Sequence, residues 1–434
     1  MKTTDPFAES LNNPKSFTLT YELVPGQGAG GKKVDRLLEF ARRAREDGRI
    51  TALSVTDNAG GHPALAPIAI GAEIQKIGLE PLIHFSLKDK NRNQIESHLF
   101  LYQRQKFRHL LVLGGDFPKP TYYGQAKPVY DLDTIQTIAL VELIKTGHYR
   151  QMKEDEICNH PFDFQCGCVV SPFKMTEAEQ VWQYANLLKK IRAGAQFIIT
   201  QLGYDLSKYE NLIRFLRQEH ITIPVLANVF IPSPAVAKFM ARGGVPGVIL
   251  PKKMAELMQN EDKKQRLLRA AGMIAVLRDI GFSGIHLGGN GLSFDDVRFV
   301  LDKAEQIQGA DLQSARENAH FPIRGIWSLY KNNTGRQQKP HPGAKPGCRP
   351  LHHLMHRLLF SRTNPVSRAF GRFCRFCDQY HTTRLMLTGC EKIIKGLLFG
   401  CRMCGDCTLS ENTYLCPQSG CPKKLVNGPC GGSR

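Results

Sequence analysis

Short apolar segments bounded by turn residues alternate with longer amphipathic stretches through roughly the first 300 residues of the chain. Runs of four to eight aliphatic and β-branched residues between glycine, proline and polar turn signals are typical of buried parallel strands. Eight strands are predicted in this way, in the segments Phe17–Val24, Ile50–Asp57, Leu79–Leu87, His109–Asp116, Phe162–Pro172, Ala195–Gly203, Ile223–Ile231 and Gly281–Asn290.

The stretches between these strands have apolar residues at three- and four-residue spacing, with polar residues between them, as in helices that cover a sheet. The clearest helices are predicted to begin at Val34, Arg92, Glu177 and Leu206. Eight strands that alternate with helices favour a closed parallel (β/α)8 barrel, the TIM barrel of the α/β class, over an open sheet.

In such a barrel the active site lies at the carboxyl ends of the strands. Five polar residues are predicted to meet there: Glu22, Asp57, His84, Asp116 and Gln201. Each of them alone is as readily explained as a cap of a loop or helix. Two carboxylates at one rim would allow one to stay ionised while the other, in a less polar environment, acts as a general acid.

Two glycines, Gly114 and Gly115, precede Asp116 and would let a flat ligand approach the backbone closely. They do not form a phosphate-binding loop. The chain also lacks a complete GxxxxGK[ST] pattern at a strand-to-helix turn.

The composition indicates two domains, because 434 residues with 42% hydrophobic content exceed one average domain. No run of eighteen apolar residues is present, and the N-terminus does not have the pattern of a signal peptide. The sequence therefore predicts a cytoplasmic protein without a membrane segment. In that compartment, 13 cysteines point to metal binding rather than to disulfides.

The positive charge is concentrated at the C-terminal end. Residues 331–434 carry 17 Lys and Arg against 4 Asp and Glu, a net charge of +13 out of +19 for the chain. A basic surface of this kind suits nucleic acid, a membrane surface or an acidic protein, or it offsets the charge of thiolate-bound metal. A merely solvated basic face is the alternative that implies no partner.

The predicted domains are a barrel over residues 1–325, a linker over 326–350 rich in Pro, Gly and basic residues, and a cysteine-rich domain over 351–434. Triple CxxCxxC spacing with remote Cys-Pro pairs is typical of iron-sulfur ligation, most simply 4Fe-4S clusters. Zinc is one alternative to iron-sulfur clusters. Another is a metal whose only role is to stabilise a small domain. The predicted ligands are Cys374, Cys377, Cys390, Cys401, Cys404, Cys407, Cys416, Cys421 and Cys430.

Residues 17–300 resemble the methylenetetrahydrofolate reductase family. The matching segments are TYELVPG with Glu22, LSVTDNAGG, IHFSLKDKNRNQ with His84, RHLLVLGGDFPKP with Asp116, and LLKKIRAGAQFIITQLGYD with Lys190 and Gln201. The resemblance implies a flavin at the barrel mouth that exchanges a hydride with the one-carbon unit of a tetrahydrofolate derivative.

By that resemblance, Glu22 is expected to protonate N10 of the folate, which requires a raised pKa. Asp116 is expected to stabilise the resulting iminium cation, and Gln201 to bind the pterin edge. Phe239 is expected to stack on the aromatic ring of the folate.

The resemblance also implies flavin contacts, at His84, Gly115, Asp116 and Lys190. The sequence departs from better-known bacterial members at Gly114, where they have arginine, so FMN and FAD both remain open. Asp57 also departs from their pattern, which leaves its predicted flavin contact uncertain.

The tail FGCRMCGDCTLSENTYLCPQSGCPKKLVNGPCGG resembles the small cysteine-rich partner subunit of the reductases of acetogenic bacteria. The resemblance implies that clusters pass electrons to the flavin from an acidic carrier such as ferredoxin or flavodoxin. Two alternatives remain: a barrel enzyme that uses NAD(P)H and has a structural zinc tail, and a metal-stabilised nucleic-acid-binding protein. The sequence leaves a homo-oligomer open.

Overall fold

The structure is a computed structural model that describes residues 5–121, 124–145, 163–245, 247–330, 349–360 and 364–399. The described residues fall into two compact units, one that ends at Tyr330 and one that runs from Arg349 to Phe399. Six of the nine predicted metal ligands, from Cys401 to Cys430, lie outside the described residues.

The first unit is a closed barrel of eight parallel strands, and every predicted strand is confirmed. The strands are joined around the barrel in the order β1-β2-β3-β4-β7-β8-β9-β10, with β10 paired to β1. A short antiparallel hairpin, β5 and β6, follows β4. The bounds are β1 Thr18–Leu23, β2 Ala52–Val55, β3 Glu80–Ser86, β4 His109–Leu113, β5 Pro120–Thr121, β6 Gly124–Gln125, β7 Gln165–Val170, β8 Phe197–Thr200, β9 Val225–Ile231 and β10 Gly284–Gly289.

Helices surround the strands, and the four clearest predicted helices correspond to α2, α4, α6 and α7. Their ends follow ordinary capping chemistry: Thr176 and Glu179 form a capping box at the start of α6, and Gly48 ends α2 in the left-handed conformation. The bounds are α1 Pro6–Asn12, α2 Lys32–Asp47, α3 Pro67–Ile77, α4 Arg92–Arg104, α5 Thr134–Lys145, α6 Glu177–Arg192, α7 Leu206–Gln218, α8 Pro234–Ala241, α9 Lys252–Asn260, α10 Lys263–Ile280, α11 Phe294–Gln306 and α12 Gly309–Ala319.

Two apolar cores result from the alternation of side chains along each strand. Outward-facing residues pack against the helices in one large cluster. Inward-facing residues form a second, smaller cluster that fills the lower part of the barrel, and it comprises Phe7, Leu11, Ala52, Leu82, Leu111, Phe197, Ile199 and Leu226.

Helix α1 closes the amino-terminal end of the barrel. Phe7 is fully buried, and its ring meets the rings of His109 and Phe197 edge to face at centroid distances of 4.8 and 5.5 Å. The carboxylate of Asp5 caps α1 by accepting from Ala8 N at 3.0 Å, and it also lies 3.1 Å from His109 Nε2. The bottom of the barrel is therefore sealed, and its interior opens at the carboxyl ends of the strands.

The barrel unit extends beyond the predicted boundary at residue 325. Ile326 is 3% exposed, the backbone N–H of Trp327 donates to Met175 O at 3.0 Å, and Asn211 donates to Ser328 Oγ at 2.6 Å. The predicted linker therefore starts too early at residue 326, because this segment is anchored on α7.

The second unit consists of three helices, α13 Arg349–Leu359, α14 Pro365–Gln379 and α15 His381–Phe399. Large apolar side chains remain exposed on it, among them Phe360, Phe373, Phe376, Met386, Ile393 and Leu397. Among the described helices none combines the length and the apolar character needed to cross a bilayer.

Candidate active site

Polar side chains line one side of the barrel interior above the inner core. They come from four neighbouring strands: Thr20 and Glu22 on β1, Ser54 on β2, His84 on β3 and His286 on β10. Four of the five are buried, and the Glu22 side chain is 20% exposed. Closure of the barrel creates this group, because β1 and β10 are separated by most of the chain and pair directly.

Glu22 and His286 form the centre of the group. Glu22 Oε2 lies 3.6 Å from His286 Nε2, and His286 Nδ1 lies 2.8 Å from Thr20 Oγ1. The Thr20 hydroxyl also lies 3.4 Å from the backbone oxygen of Ile285, to which it can donate. These contacts of Thr20 orient the His286 ring so that Nε2 faces the carboxylate of Glu22.

A carboxyl group and an imidazole at this separation are both able to carry a proton. The geometry therefore brings two groups capable of acid–base chemistry together next to the open end of the barrel.

The expected raised pKa of Glu22 is wrong for this structure. Burial alone would raise the pKa of Glu22, but the contact with His286 and the charges of His286 and His84 outweigh it, and the net shift is downward. The imidazole that reverses the shift comes from β10, which the sequence did not associate with Glu22.

His84 lies beside the pair and is 7% exposed. Burial lowers the pKa of His84 to about 4, and the nearby charge of Glu22 does not reverse this, so the ring is neutral at pH 7. Its Nε2 atom has no hydrogen-bonding partner among the described residues. Such an orphaned buried atom marks a position where a ligand would be bound.

The predicted carboxylates Asp116 and Asp57 lie in the rim loops that follow β4 and β2. Asp116 Oδ2 accepts from the backbone N–H of Gly60 at 2.9 Å, which links these two loops. Asp57 forms a buried ion pair with Lys90, with Oδ2 and Nζ 2.7 Å apart, and Lys90 also donates to Ser86 O. The structure thus gives Asp57 a cationic partner that the sequence did not identify.

The backbone at Gly115 runs close to β3. Gly115 has φ +83°, and a Cβ atom there would lie 2.0 Å from Ser86 Oγ, so only glycine fits. The hydroxyls of Ser54 and Ser86 are buried and have no partner within the described part of the chain. Together with His84 Nε2, they leave unpaired polar atoms along one wall of the barrel mouth.

The remaining predicted residues are less directly placed at this group. Gln201 is half-buried after β8, and its side-chain oxygen accepts from the N–H of Leu202 at 3.0 Å. Lys190 on α6 is buried and donates to Val169 O on β7 at 2.9 Å. Phe239 on α8 is 55% exposed, and its ring lies against Gly244. The predicted ligand contacts of these three residues stay predictions.

Sequence reasoning missed His286, Thr20 and Lys90. A signal was present for the first two, since Thr20 and Glu22 share one face of β1 and His286 is an isolated polar residue in the strand GIHLGG. An isolated histidine in an apolar strand indicates a functional site only when barrel closure places it beside a carboxylate.

In the second unit, Cys374 and Cys377 lie on α14 and Cys390 lies on α15. Burial, followed by the charges of Cys377, Asp378 and Glu391, raises the pKa of Cys374. Within the described residues these three cysteines do not converge with other ligands on a metal-sized site. The predicted cluster ligation therefore depends on cysteines outside the described residues.

A closed parallel barrel with a carboxylate–imidazole pair at its open end is the framework of a (β/α)8 enzyme. The sequence profile of the family "Methylenetetrahydrofolate reductase" matches residues 7–288, about two thirds of the chain. The chain therefore belongs to the methylenetetrahydrofolate reductase family. A second profile, "Methylene-tetrahydrofolate reductase C terminal", matches residues 380–434, which include α15 and the cysteine-rich tail.

The curated relatives agree with this assignment. A probable methylenetetrahydrofolate reductase (NADPH) of Caenorhabditis elegans is 25% identical over 228 residues, which cover 51% of this chain and 31% of the relative. Methylenetetrahydrofolate reductase 1 of Schizosaccharomyces pombe is 25% identical over 278 residues, 62% of this chain and 43% of the relative. The chain thus spans less than half the length of either relative.

Among solved structures, an uncharacterized protein from Clostridium thermocellum that binds two copies of 5-methyl-5,6,7,8-tetrahydrofolic acid aligns with a TM-score of 0.48 at 12% identity. The alignment covers 69% of this chain and 98% of that protein.

Proposed function

We propose that this protein catalyses the flavin-dependent interconversion of 5,10-methylenetetrahydrofolate and 5-methyltetrahydrofolate. Family membership over residues 7–288 supports the reaction class. The observation that carries the proposal is the Thr20–His286–Glu22 arrangement at the open end of the barrel, because the reaction needs one proton delivered to a ring nitrogen.

The proton stored by Glu22 and His286 supplies the acid step. Transfer of that proton to N10 breaks the bond between N10 and the methylene carbon, and it leaves an iminium cation at N5. A flavin held at the barrel mouth would supply the hydride for this carbon, so that one proton and one hydride together would convert the methylene compound to the methyl compound. His286 supports the low pKa of Glu22 once the proton has left, and Thr20 fixes the orientation of the ring.

Asp116 is proposed to stabilise the cation electrostatically. Its carboxylate is held by the N–H of Gly60 in a loop that follows β4, so its position is fixed before the substrate binds. A preorganised negative charge near a developing cation lowers the barrier without a reorganisation cost during the reaction.

The barrel mouth has features that fit a flavin. The hydroxyls of Ser54 and Ser86 are buried polar atoms that need partners, and the edge of an isoalloxazine ring beside His84 offers both donors and acceptors. Gly115 permits a close approach of a flat group to the loop after β4. Lys90 offsets the charge of Asp57, which would otherwise repel the cofactor phosphate. FMN and FAD are both compatible with these features.

Gln201 and Phe239 are the proposed contacts of the folate. The side-chain amide of Gln201 carries both a donor and an acceptor, as the edge of the pterin requires. Phe239 offers an exposed aromatic face on α8. Lys190 is proposed to contact the flavin only after its present hydrogen bond to Val169 O is exchanged.

Electrons are proposed to reach the flavin through iron-sulfur clusters held by the cysteine-rich tail. The second family match, over residues 380–434, joins the tail to α15 and supports a reductase-specific role for it. The CxxCxxC spacing supports cluster ligation, and the charge of +13 on residues 331–434, from 17 basic and 4 acidic side chains, suits an acidic donor such as ferredoxin or flavodoxin.

The decisive experiment compares Glu22→Gln with the wild-type protein, both purified anaerobically with bound flavin. Turnover of 5,10-methylenetetrahydrofolate is expected to fall by about 10²-fold or more, since general acid catalysis typically contributes about 10²–10⁴-fold. Reduction of the bound flavin by dithionite should be unchanged. The matched control is Glu39→Gln, an exposed glutamate on α2. Undiminished folate turnover in Glu22→Gln would disprove the acid assignment, and a purified protein without flavin would disprove the reaction itself.

A further inference from the structure

Three metal-ligating atoms converge inside the barrel. One atom from each of Glu22, His84 and His286 lies within 4.8 Å of the other two. All three residues project from strands, so their positions are fixed by the barrel rather than by loops.

One buried nitrogen in this group has no partner. Thr20 Oγ1 lies 2.8 Å from Nδ1 of His286, so Nε2 of that ring faces Glu22. His84 Nε2 is buried beside them and has no hydrogen-bonding partner among the described residues. A cation that binds all three atoms at once would satisfy the whole group.

Two imidazoles and one carboxylate are a known donor set for divalent first-row transition metals, with further positions open to other ligands. Metal–ligand distances of about 2.0–2.2 Å place ligand atoms about 3.4 Å apart. Atoms that already lie within 4.8 Å of one another reach this geometry by small side-chain movements. The hydrogen bond between His286 Nδ1 and Thr20 Oγ1 is the kind of outer contact that orients a metal-ligating histidine.

A second group with metal-ligand chemistry, Asp5, Glu80 and His109, lies at the closed end of the barrel. It has less need of a cation, because Asp5 already accepts from Ala8 N and lies 3.6 Å from Arg108 Nη1. The group around Glu22 has no comparable donors among the described residues.

We propose that Glu22, His84 and His286 bind one divalent transition-metal ion, and that this ion blocks the acid function of Glu22 when folate is absent. The ligand is a hexaaqua first-row ion such as Mn²⁺, Fe²⁺ or Zn²⁺, which exchanges three waters for the three side chains. Binding does not depend on the proposed reductase activity, and the first test is independent of turnover.

The probe is Mn²⁺, because the thiolates of the tail are soft ligands that bind it poorly. Full-length protein, purified anaerobically with bound flavin and dialysed to remove loosely bound divalent ions, is titrated with Mn²⁺ and followed by electron paramagnetic resonance, with pulsed detection of ¹⁴N coupling. One bound ion with coupling to imidazole nitrogen is expected. His84→Gln and His286→Gln should each weaken binding by at least about 10-fold, and Thr20→Val by about 10–100-fold.

Two controls make the result specific. His98→Gln on the outer helix α4 and His109→Gln in the second group should bind Mn²⁺ as the wild type does. Unchanged binding in Thr20→Val, His84→Gln and His286→Gln would overturn the proposal, as would a loss of binding in His109→Gln. Thr20→Val retains all three ligands, so a folded Thr20→Val protein with weakened binding supports the site even if a histidine variant misfolds.

Inhibition is the second readout. Mn²⁺ or Zn²⁺ should slow folate turnover in the wild type, and prior saturation with folate should protect against it. If the protein binds Mn²⁺ as predicted but has no reductase activity, the metal site stands and the proposed function fails. If the protein is active and binds no Mn²⁺ at these residues, the proposed function stands and the metal site fails.

Discussion

The pair Glu22 and His286 defines the chemistry of this barrel at the level of single residues. Burial and the imidazole act on the carboxyl in opposite directions, and the imidazole prevails, so the pKa of Glu22 is lowered. In the proposed mechanism, the proton therefore comes from two residues together, Glu22 on β1 and His286 on β10, with Thr20 as the positioning residue. A carboxyl group alone in the same place would have the raised pKa that burial produces.

The substitution His286→Asn tests this division of roles. Without the imidazole, burial is no longer outweighed and the pKa of Glu22 should rise, although the lone carboxyl still loses its proton below neutral pH. Turnover at pH 7 should fall by about 10²-fold and recover in part as the pH is lowered toward about 5.5. The measurement is the pH profile of turnover between those values.

His98→Asn on α4 is the control for that experiment, since this ring lies on a helix outside the barrel. It should keep the wild-type profile and rate. A His286→Asn profile that runs parallel to the wild-type profile would contradict the shared-proton assignment and leave His286 with a structural role only.

At the scale of elements, the strands were predictable and the contacts between distant strands were not. Apolar segments such as HLLVL and FIIT determine a buried strand locally, which is why all eight barrel strands match. The pairing of β1 with β10 is a property of barrel closure, so the neighbour of Glu22 could not be read from the sequence. The rim position of Glu22 and Asp116 was predictable because it follows from strand ends alone.

Helix α1 illustrates the same limit, because a seven-residue helix gives little periodic signal. The contribution of α1 to stability comes from Phe7, which is fully buried between His109 and Phe197. Phe7→Ala should lower the free energy of unfolding by about 3–5 kcal/mol, as for other large-to-small changes in a core. Urea unfolding monitored by circular dichroism measures this loss.

The control for Phe7→Ala is Glu9→Ala on the exposed face of the same helix, which should change stability by less than about 0.5 kcal/mol. Because α1 lies at the closed end, flavin content of the folded Phe7→Ala protein should equal that of the wild type. Equal stability of Phe7→Ala and Glu9→Ala would show that α1 does not close the barrel in solution.

At the scale of the whole molecule, the chain joins a barrel of the methylenetetrahydrofolate reductase family to a tail whose cysteine spacing suits one-electron chemistry. The tail contains a matched pair for testing this, because Cys404 lies at the centre of the CxxCxxC run and Cys348 lies outside the nine predicted ligands. Cys404→Ser should remove iron and acid-labile sulfide from anaerobically purified protein, and Cys348→Ser should not.

Both variants should retain flavin and should reduce folate when dithionite replaces the physiological donor, because the barrel residues are untouched. Reduction of the flavin by reduced ferredoxin should be lost in Cys404→Ser and kept in Cys348→Ser. Zinc without iron in the wild type, together with turnover driven by NAD(P)H in Cys404→Ser, would instead assign the tail a structural role. Electron entry through the tail thus predicts that Cys404→Ser loses activity with ferredoxin and keeps it with dithionite. A structural metal instead predicts the same loss of stability and activity with every donor.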